Sequence, residues 1–269
     1  MKTRIIAAAV MLVMLVFLLF WAPIWVGAIV AGLLSAMASY ELLYNTGLLK
    51  HVRLNIYSAL MAFGVSMWSY FQWTYGIILL AVLIFYILVF GEMMIAHLDL
   101  HIKDAAMVFL SGIVVPFMLT SLVRIFRMEQ GRVLICIPFI IAYMSDAGAY
   151  FIGIKMGKHK LCPNISPKKS VEGLIGGVIV GTLALLLYGW IVNTFFYAST
   201  RYIPMMIYGI VGCLASAFGD LCMSVIKRQT GIKDYGHLIP GHGGVLDRLD
   251  SVMIAAPLTE ALLLILPMV

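Results

Sequence analysis

The chain has 269 residues, 63% of them hydrophobic and 11% charged, with a formal net charge of +6. Soluble domains average about 45–50% apolar and about 25% charged residues, so this composition excludes an ordinary water-soluble fold. The basic residues sit in short loops between apolar runs, which points to a lipid bilayer and away from nucleic acid as a partner.

A membrane-crossing helix needs about 20 mostly apolar residues. Nine stretches approach that length: 5–22, 24–44, 54–72, 76–95, 105–124, 133–154, 173–195, 203–228 and 251–269. The expected fold class is all-α, a polytopic integral membrane protein with about nine transmembrane helices. The start, Met1-Lys2-Thr3-Arg4 before an apolar run, has the look of a signal peptide. A second apolar run follows Pro23 at once, so the first is expected to remain as a membrane helix. Trp21, Trp25, Trp68, Trp73 and Tyr75 flank the first breaks, as aromatic rings do at headgroup level. Residues 1–130 are expected to form about five scaffold spans and 131–269 to carry a catalytic cavity, within one integrated membrane domain.

With nine spans, fourteen of the 18 Lys and Arg fall on the side of the N-terminus. Arg124, Arg127, Arg132 and Arg201 fall on the other. The positive-inside rule then predicts a cytoplasmic N-terminus, an outer C-terminus and a multi-pass protein of the cytoplasmic (inner) membrane. Cys136, Cys162, Cys213 and Cys222 show no paired spacing and read as small apolar residues. His97 and His101 stand four apart but lack a visible third ligand.

The first 100 residues hold seven acidic or basic side chains and the remaining 169 hold 23, so chemistry is expected in the latter. Asp146 lies eight residues before the end of the sixth span and Asp220 eight residues before Arg228, so both sit roughly 12 Å inside at 1.5 Å per residue. Asp247 and Asp250 precede the ninth span on the same side. Ser216, Asp220, Ser224 and Lys227 recur at helical spacing and share one face. Lone carboxylates at such depth cost about 2.5–3.5 kcal/mol each on insertion scales. Several together call for cations: Lys168, Lys169, Lys227 and Arg248 supply some, and a divalent ion would supply more. Oxygen ligands without a histidine cluster suit Mg²⁺ completed by substrate phosphates. The turn Pro240-Gly241-His242-Gly243-Gly244 would let backbone N–H groups approach a phosphate. Plainer readings stand beside these: Asp146 as a satisfied structural polar group, Asp250 as a cap for the ninth helix, His242 as a turn stabiliser, and Lys155, Lys158 and Lys160 as orientation charges.

The two polar stretches resemble the phosphatidate cytidylyltransferase (CDP-diglyceride synthase) family. The resemblance lies in Ser216, Gly219-Asp220, Lys227-Arg228, Lys233-Asp234, Pro240 to Gly244 and Asp247-Arg248-Leu-Asp250. Upstream it includes Asp146, Tyr150, Gly153 and Ser166-Pro-Lys-Lys-Ser-Val-Glu-Gly173, with Ser170 where Thr is common. It covers about 145–173 and 216–250. It implies transfer of a cytidylyl group from CTP to phosphatidic acid with Mg²⁺; the four acids leave room for a second cation, K⁺ among the candidates. In roles it implies Asp220 and Asp247 as metal ligands, Asp250 as ligand or supporting partner, and Asp146 beside them. Lys168, Lys169 and Arg248 would contact phosphates, with Ser166, Ser170, Ser216, Lys227, His242, Gly243 and Gly244 lining the substrate site. The site is expected to face the cytoplasm, and a second copy of the chain is a candidate partner. An ion-coupled transporter and a CTP-dependent enzyme acting on another lipid phosphate are the alternatives.

Overall fold

The computed structural model describes residues 2–96, 99–195, 200–236, 238 and 243–268. In chain order the helices are α1 (Lys2–Phe20), α2 (Ile24–Tyr40, prolonged by a π-helical turn Glu41–Asn45), α3 (Val52–Phe71) and α4 (Tyr75–Ile95). Next comes α5 (Ile102–Phe109), which runs through a π-helical turn Leu110–Val114 into α6 (Val115–Leu119) and then α7 (Ser121–Arg127). Helices α8 (Gly131–Leu134) and α9 (Cys136–Met156) lead to strands β1 (Lys160–Cys162) and β2 (Ser166–Ser170). Helices α10 (Val171–Phe195), α11 (Tyr202–Gln229), α12 (Leu246–Leu249) and α13 (Val252–Ile265) complete the chain.

Helices lie in each of the nine expected stretches, and six helical segments are long and apolar enough to cross a membrane: Ile24–Asn45, Tyr75–Ile95, Ile102–Arg127, Gly131–Met156, Val171–Phe195 and Tyr202–Gln229. Ala9–Phe20 and Val252–Ile265 are shorter apolar helices. The protein is therefore an all-α, multi-pass membrane protein. Its one described sheet, the hairpin β1–β2, stands in the basic 155–172 stretch that hydropathy reads as a plain loop. All four cysteines are free, and only Cys213 is fully buried.

The chain divides into two units, Met1–Arg127 with Gln229–Leu249 and Met128–Arg228 with Asp250–Val269. In the first, Pro23 in an extended conformation starts α2, and left-handed Gln72 (φ 50°) ends α3. His101 and Asp104 form a capping box on α5, a local duty that accounts for His101; His97 lies outside the described residues. Leu54, Met61, Val65, Phe85, Val89 and Val108 are part of the apolar core. Small polar residues knit the helices within it: Ser39 Oγ lies 2.7 Å from Ser58 Oγ, and Ser58 Oγ 2.8 Å from Ser111 Oγ. Without a water-driven hydrophobic effect in lipid, close packing of small residues and such hydrogen bonds hold membrane helices together. Buried Glu92 on α4 is matched by Arg53 Nη1 at 3.4 Å and by the Tyr57 hydroxyl, which donates to it at 3.1 Å.

The second unit rests on a seam between α9 and α10. A Cβ added at Gly173 would lie 2.8 Å from the Ala149 carbonyl oxygen, and one at Gly177 2.6 Å from that of Ser145. At Gly181 it would meet Cys213 Sγ on α11 at 2.4 Å. These glycines recur every four residues on one face of α10, so the backbones approach as in small-residue membrane interfaces. The end of the chain is pinned to α11 by Tyr208, whose hydroxyl donates to the Leu266 carbonyl at 2.7 Å.

Candidate active site

The acidic cluster of the second unit is built from three segments. Asp146 comes from α9, Asp220 from α11, and Asp250 from the turn just before α13. Ser251 ties two of them together: its hydroxyl donates to Asp146 Oδ2 at 3.0 Å, and its N–H donates to Asp250 Oδ1 at 2.8 Å. Asp250 therefore does not cap α13, whose N-cap residue is Ser251. Gly219 makes the approach to α11 possible, because a Cβ there would stand 2.7 Å from the Asp250 carbonyl oxygen. The Gly219-Asp220 pair thus places a carboxylate next to a gap that only glycine leaves open.

Lys169 pairs with Asp220, and Ser224 Oγ donates to Asp220 Oδ1 at 3.4 Å. The hairpin aims that lysine. On β2 Lys169 is partly buried, while Lys168 is exposed. The hairpin itself is held at both ends. Glu172 at the start of α10 accepts from the His159 ring at 2.6 Å and from the N–H of Lys158 at 3.1 Å. Arg228 Nε donates to the Ile165 carbonyl at 3.0 Å. Ser170 Oγ accepts the N–H of Gly173 at 3.1 Å, opening α10 as Ser does at a helix start.

The carboxyl of Asp250 is pushed up to about 7, first by burial, then by the negative charge of Asp220. Asp146 adds to the rise, while the Ser251 N–H and Lys227 oppose it. A site with this excess of negative charge favours an added cation.

In the first unit, Asp247 Oδ2 accepts the N–H of Tyr235 at 2.8 Å and of Gly244 at 2.9 Å. Gly243 adopts φ +86°, a left-handed conformation suited to glycine, and a Cβ there would meet Asp247 Oδ2 at 2.7 Å. Glu41 Oε1 accepts the N–H of Val245 and Oε2 that of Leu246, both at 2.9 Å. Asn45 Nδ2 donates to the Tyr235 carbonyl at 2.8 Å.

A model of the cytidylyltransferase family matches residues 2–266. The chain belongs to the cytidylyltransferase family. It is similar to a protein named phosphatidate cytidylyltransferase from Haemophilus influenzae, 41% identical over 128 residues, which are 48% of this chain and 44% of that one. A protein of the same name from Mycobacterium bovis is 35% identical over 167 residues, 62% of this chain and 53% of the other. Another from Staphylococcus saprophyticus is 40% identical over 136 residues, 51% of each. The chain spans about half the length of these relatives.

Within this cytidylyltransferase-family chain, the structure brings Asp146, Asp220, Asp250, Lys169 and Ser224 together in the second unit, with Lys227 in electrostatic reach of Asp250. Ser216 is fully buried one turn before Asp220, and its hydroxyl has no hydrogen-bond partner among the described residues. Ser166 and Lys168 stand on β2, Ser170 at its end, and Arg248 is exposed on α12. His242 lies outside the described residues.

Among the described residues no group of three or more His, Cys, Asp or Glu is arranged to hold a metal ion. Mg²⁺ keeps several waters and takes one or two carboxylates plus phosphate oxygens, so it does not need a closed protein cage. The oxygen donors here, the raised carboxyl of Asp250 and the orphaned Ser216 hydroxyl fit that demand. The residues missed by sequence reading are Glu41 and Asn45. Both lie in the stretch expected to be scaffold, and the one signal was an acidic residue in an apolar helix of otherwise uncharged character.

Proposed function

We propose that this protein transfers a cytidylyl group from CTP to phosphatidic acid, giving CDP-diacylglycerol and pyrophosphate. The observation that carries the reading is the Lys169–Asp220 pair set among Asp146, Asp250 and Ser251, in a chain whose relatives are named for this activity. An oxygen of the lipid phosphate attacks the α-phosphorus of CTP. The bond from that phosphorus to the bridging oxygen breaks, and pyrophosphate leaves with the electron pair. A phosphate monoester has its second pKa near about 6, so the attacking oxygen is largely ionised at neutral pH and needs no protein base.

The work left to the protein is positioning and charge neutralisation. In the second unit Asp220 and Asp250, with Asp146 beside them, would supply the one or two carboxylates that Mg²⁺ takes; in the first unit, Asp247 of the glycine-rich loop is proposed as a metal ligand. Bound Mg²⁺ would neutralise phosphate charge during transfer. Lys169 carries its ammonium on a hairpin fixed at both ends, so its approach to a phosphate oxygen is set in advance. Arg248 and Lys168 are exposed cations able to meet the remaining phosphate oxygens. Ser166, Ser170, Ser216, Lys227, Gly243 and Gly244 complete the proposed substrate site. CTP is a cytoplasmic solute, and the Lys and Arg distribution supports nine spans with the site on the cytoplasmic side of the inner membrane.

The test is incubation of purified protein in phosphatidic acid vesicles with labelled CTP and Mg²⁺. Label moving into the lipid phase supports the reading. No transfer by folded protein would favour the ion-coupled carrier, and transfer only to a different lipid phosphate would reassign the acceptor.

A further inference from the structure

Glu41 has no part in the reaction as described, yet both of its carboxylate oxygens are engaged. It is 4% exposed, and each of its two oxygens accepts a separate backbone N–H at 2.9 Å, those of Val245 and Leu246. The backbone closes tightly around it: a Cβ at Gly236 would lie 2.6 Å from Glu41 Oε1, and one at Gly244 2.4 Å. Asn45, on the same π-helical turn, fixes the Tyr235 carbonyl, and Asp247 fixes the N–H groups of Tyr235 and Gly244.

The chemistry of this clamp is particular to a carboxylate. An amide has one acceptor oxygen and turns two donors toward its surroundings, so Gln in place of Glu41 would face one of the two N–H groups with another donor. A carboxylate in an apolar helix is costly, and a merely apolar contact would serve packing equally well. Both oxygens are spent where the short helix that carries Asp247 and Arg248 begins, on Val245 just before it and on Leu246, its first residue.

We propose that Glu41 is a positioning residue for the nucleoside triphosphate. It fixes the Gly243–Gly244 turn and the start of α12, and so sets where Asp247 and Arg248 stand toward a phosphate group. The inference rests on the proposed function, which puts Gly243, Gly244, Asp247 and Arg248 at the substrate phosphates, and it assigns this loop to the phosphates of CTP.

The experiment uses the full chain in lipid nanodiscs, as wild type and as Glu41→Gln. The KM for CTP and the KM for phosphatidic acid are measured separately, CTP binding is measured by calorimetry without lipid substrate, and the melting temperature is followed. Losing one hydrogen bond to a charged acceptor is expected to raise the KM and Kd for CTP by about ten-fold. The KM for the lipid should stay within about two-fold. CTP values within about two-fold of wild type would overturn the inference. So would a rise in both KM values together with a fall in melting temperature, which marks a general structural role. If Glu41→Gln gives no folded protein, Asn45→Ser decides: a rise confined to the CTP constants supports the inference, and no rise overturns it. A wild type that binds CTP but makes no CDP-lipid refutes the proposed reaction alone, and the calorimetric ratio still decides Glu41. A wild type that binds no CTP overturns both.

Discussion

Lys169 on β2 is paired with Asp220 on α11, whereas the adjacent Lys168 is exposed. Two neighbouring lysines are thereby given unequal tasks, one half-buried against a carboxylate and one open to solvent. Lys169→Gln should lower kcat by about a hundred-fold or more, the scale of losing a preorganised charge at a transition state. Lys168→Gln should raise the substrate KM by less than about ten-fold with kcat nearly kept. Steady-state kinetics on both variants checks this, and equal losses would show that the hairpin does not sort them.

Gly219→Ala adds a methyl group 2.7 Å from the Asp250 carbonyl oxygen and 2.9 Å from Ile254 Cγ1. The oxygen is backbone and cannot swing away. Overpacking of this kind costs about 1–3 kcal/mol, so the melting temperature in detergent should fall and turnover should fall with it. An unchanged melting temperature and rate would mean that the close approach at Asp250 is not kept in solution.

Asp250 gives a pH dependence with a definite sign. Its folded-state value of about 7 lies above the ordinary 3.8. Between those values the folded protein holds a proton that the unfolded chain has released. The contribution of this group to stability is therefore largest at low pH and is lost as pH rises through about 7. With a chelator present, the melting temperature of wild type should drop from pH 5 to pH 8 more steeply than that of Asp250→Asn. Parallel curves would refute the shift.

Asp220→Asn should remove turnover while leaving expression and membrane insertion intact, because the amide keeps the shape but loses the charge that meets Lys169. Chelation should likewise stop turnover, and Mg²⁺ should restore it. Lys103 on α5 is exposed and belongs to the first unit, and Lys103→Gln should stay within about two-fold of wild type. Activity of Asp220→Asn near that of wild type in a radiolabel assay would remove the metal assignment.

The helices were legible because an apolar run of about 20 residues admits few alternatives. Asp146, Asp220 and Asp250 were legible as a group because charge in an apolar chain is conspicuous. The hairpin was hidden: Lys160–Cys162 and Ser166–Ser170 are short, and their pairing is set by helices α9 and α10 at either end rather than by any strand-like alternation of their own. Glu41 was hidden for another reason. Its partners are backbone N–H groups more than 200 residues away, and a backbone donor leaves no residue type to recognise. The division of the chain was also concealed, since Gln229–Leu249 joins the first unit although its nearest sequence neighbours belong to the second.

The glycine seam has a bearing on what can shift the water-side lysine. The hairpin leaves α9 at Met156 and enters α10 at Val171, so its two roots are spaced by helices that touch backbone to backbone. Added salt weakens exposed pairs such as His159 with Glu172, but it does not reach that seam. Ionic strength should thus leave the register of Lys169 unaltered, while one methyl group introduced at Gly173 or Gly177, buried between α9 and α10, would spread the roots apart and carry the ammonium group off its mark.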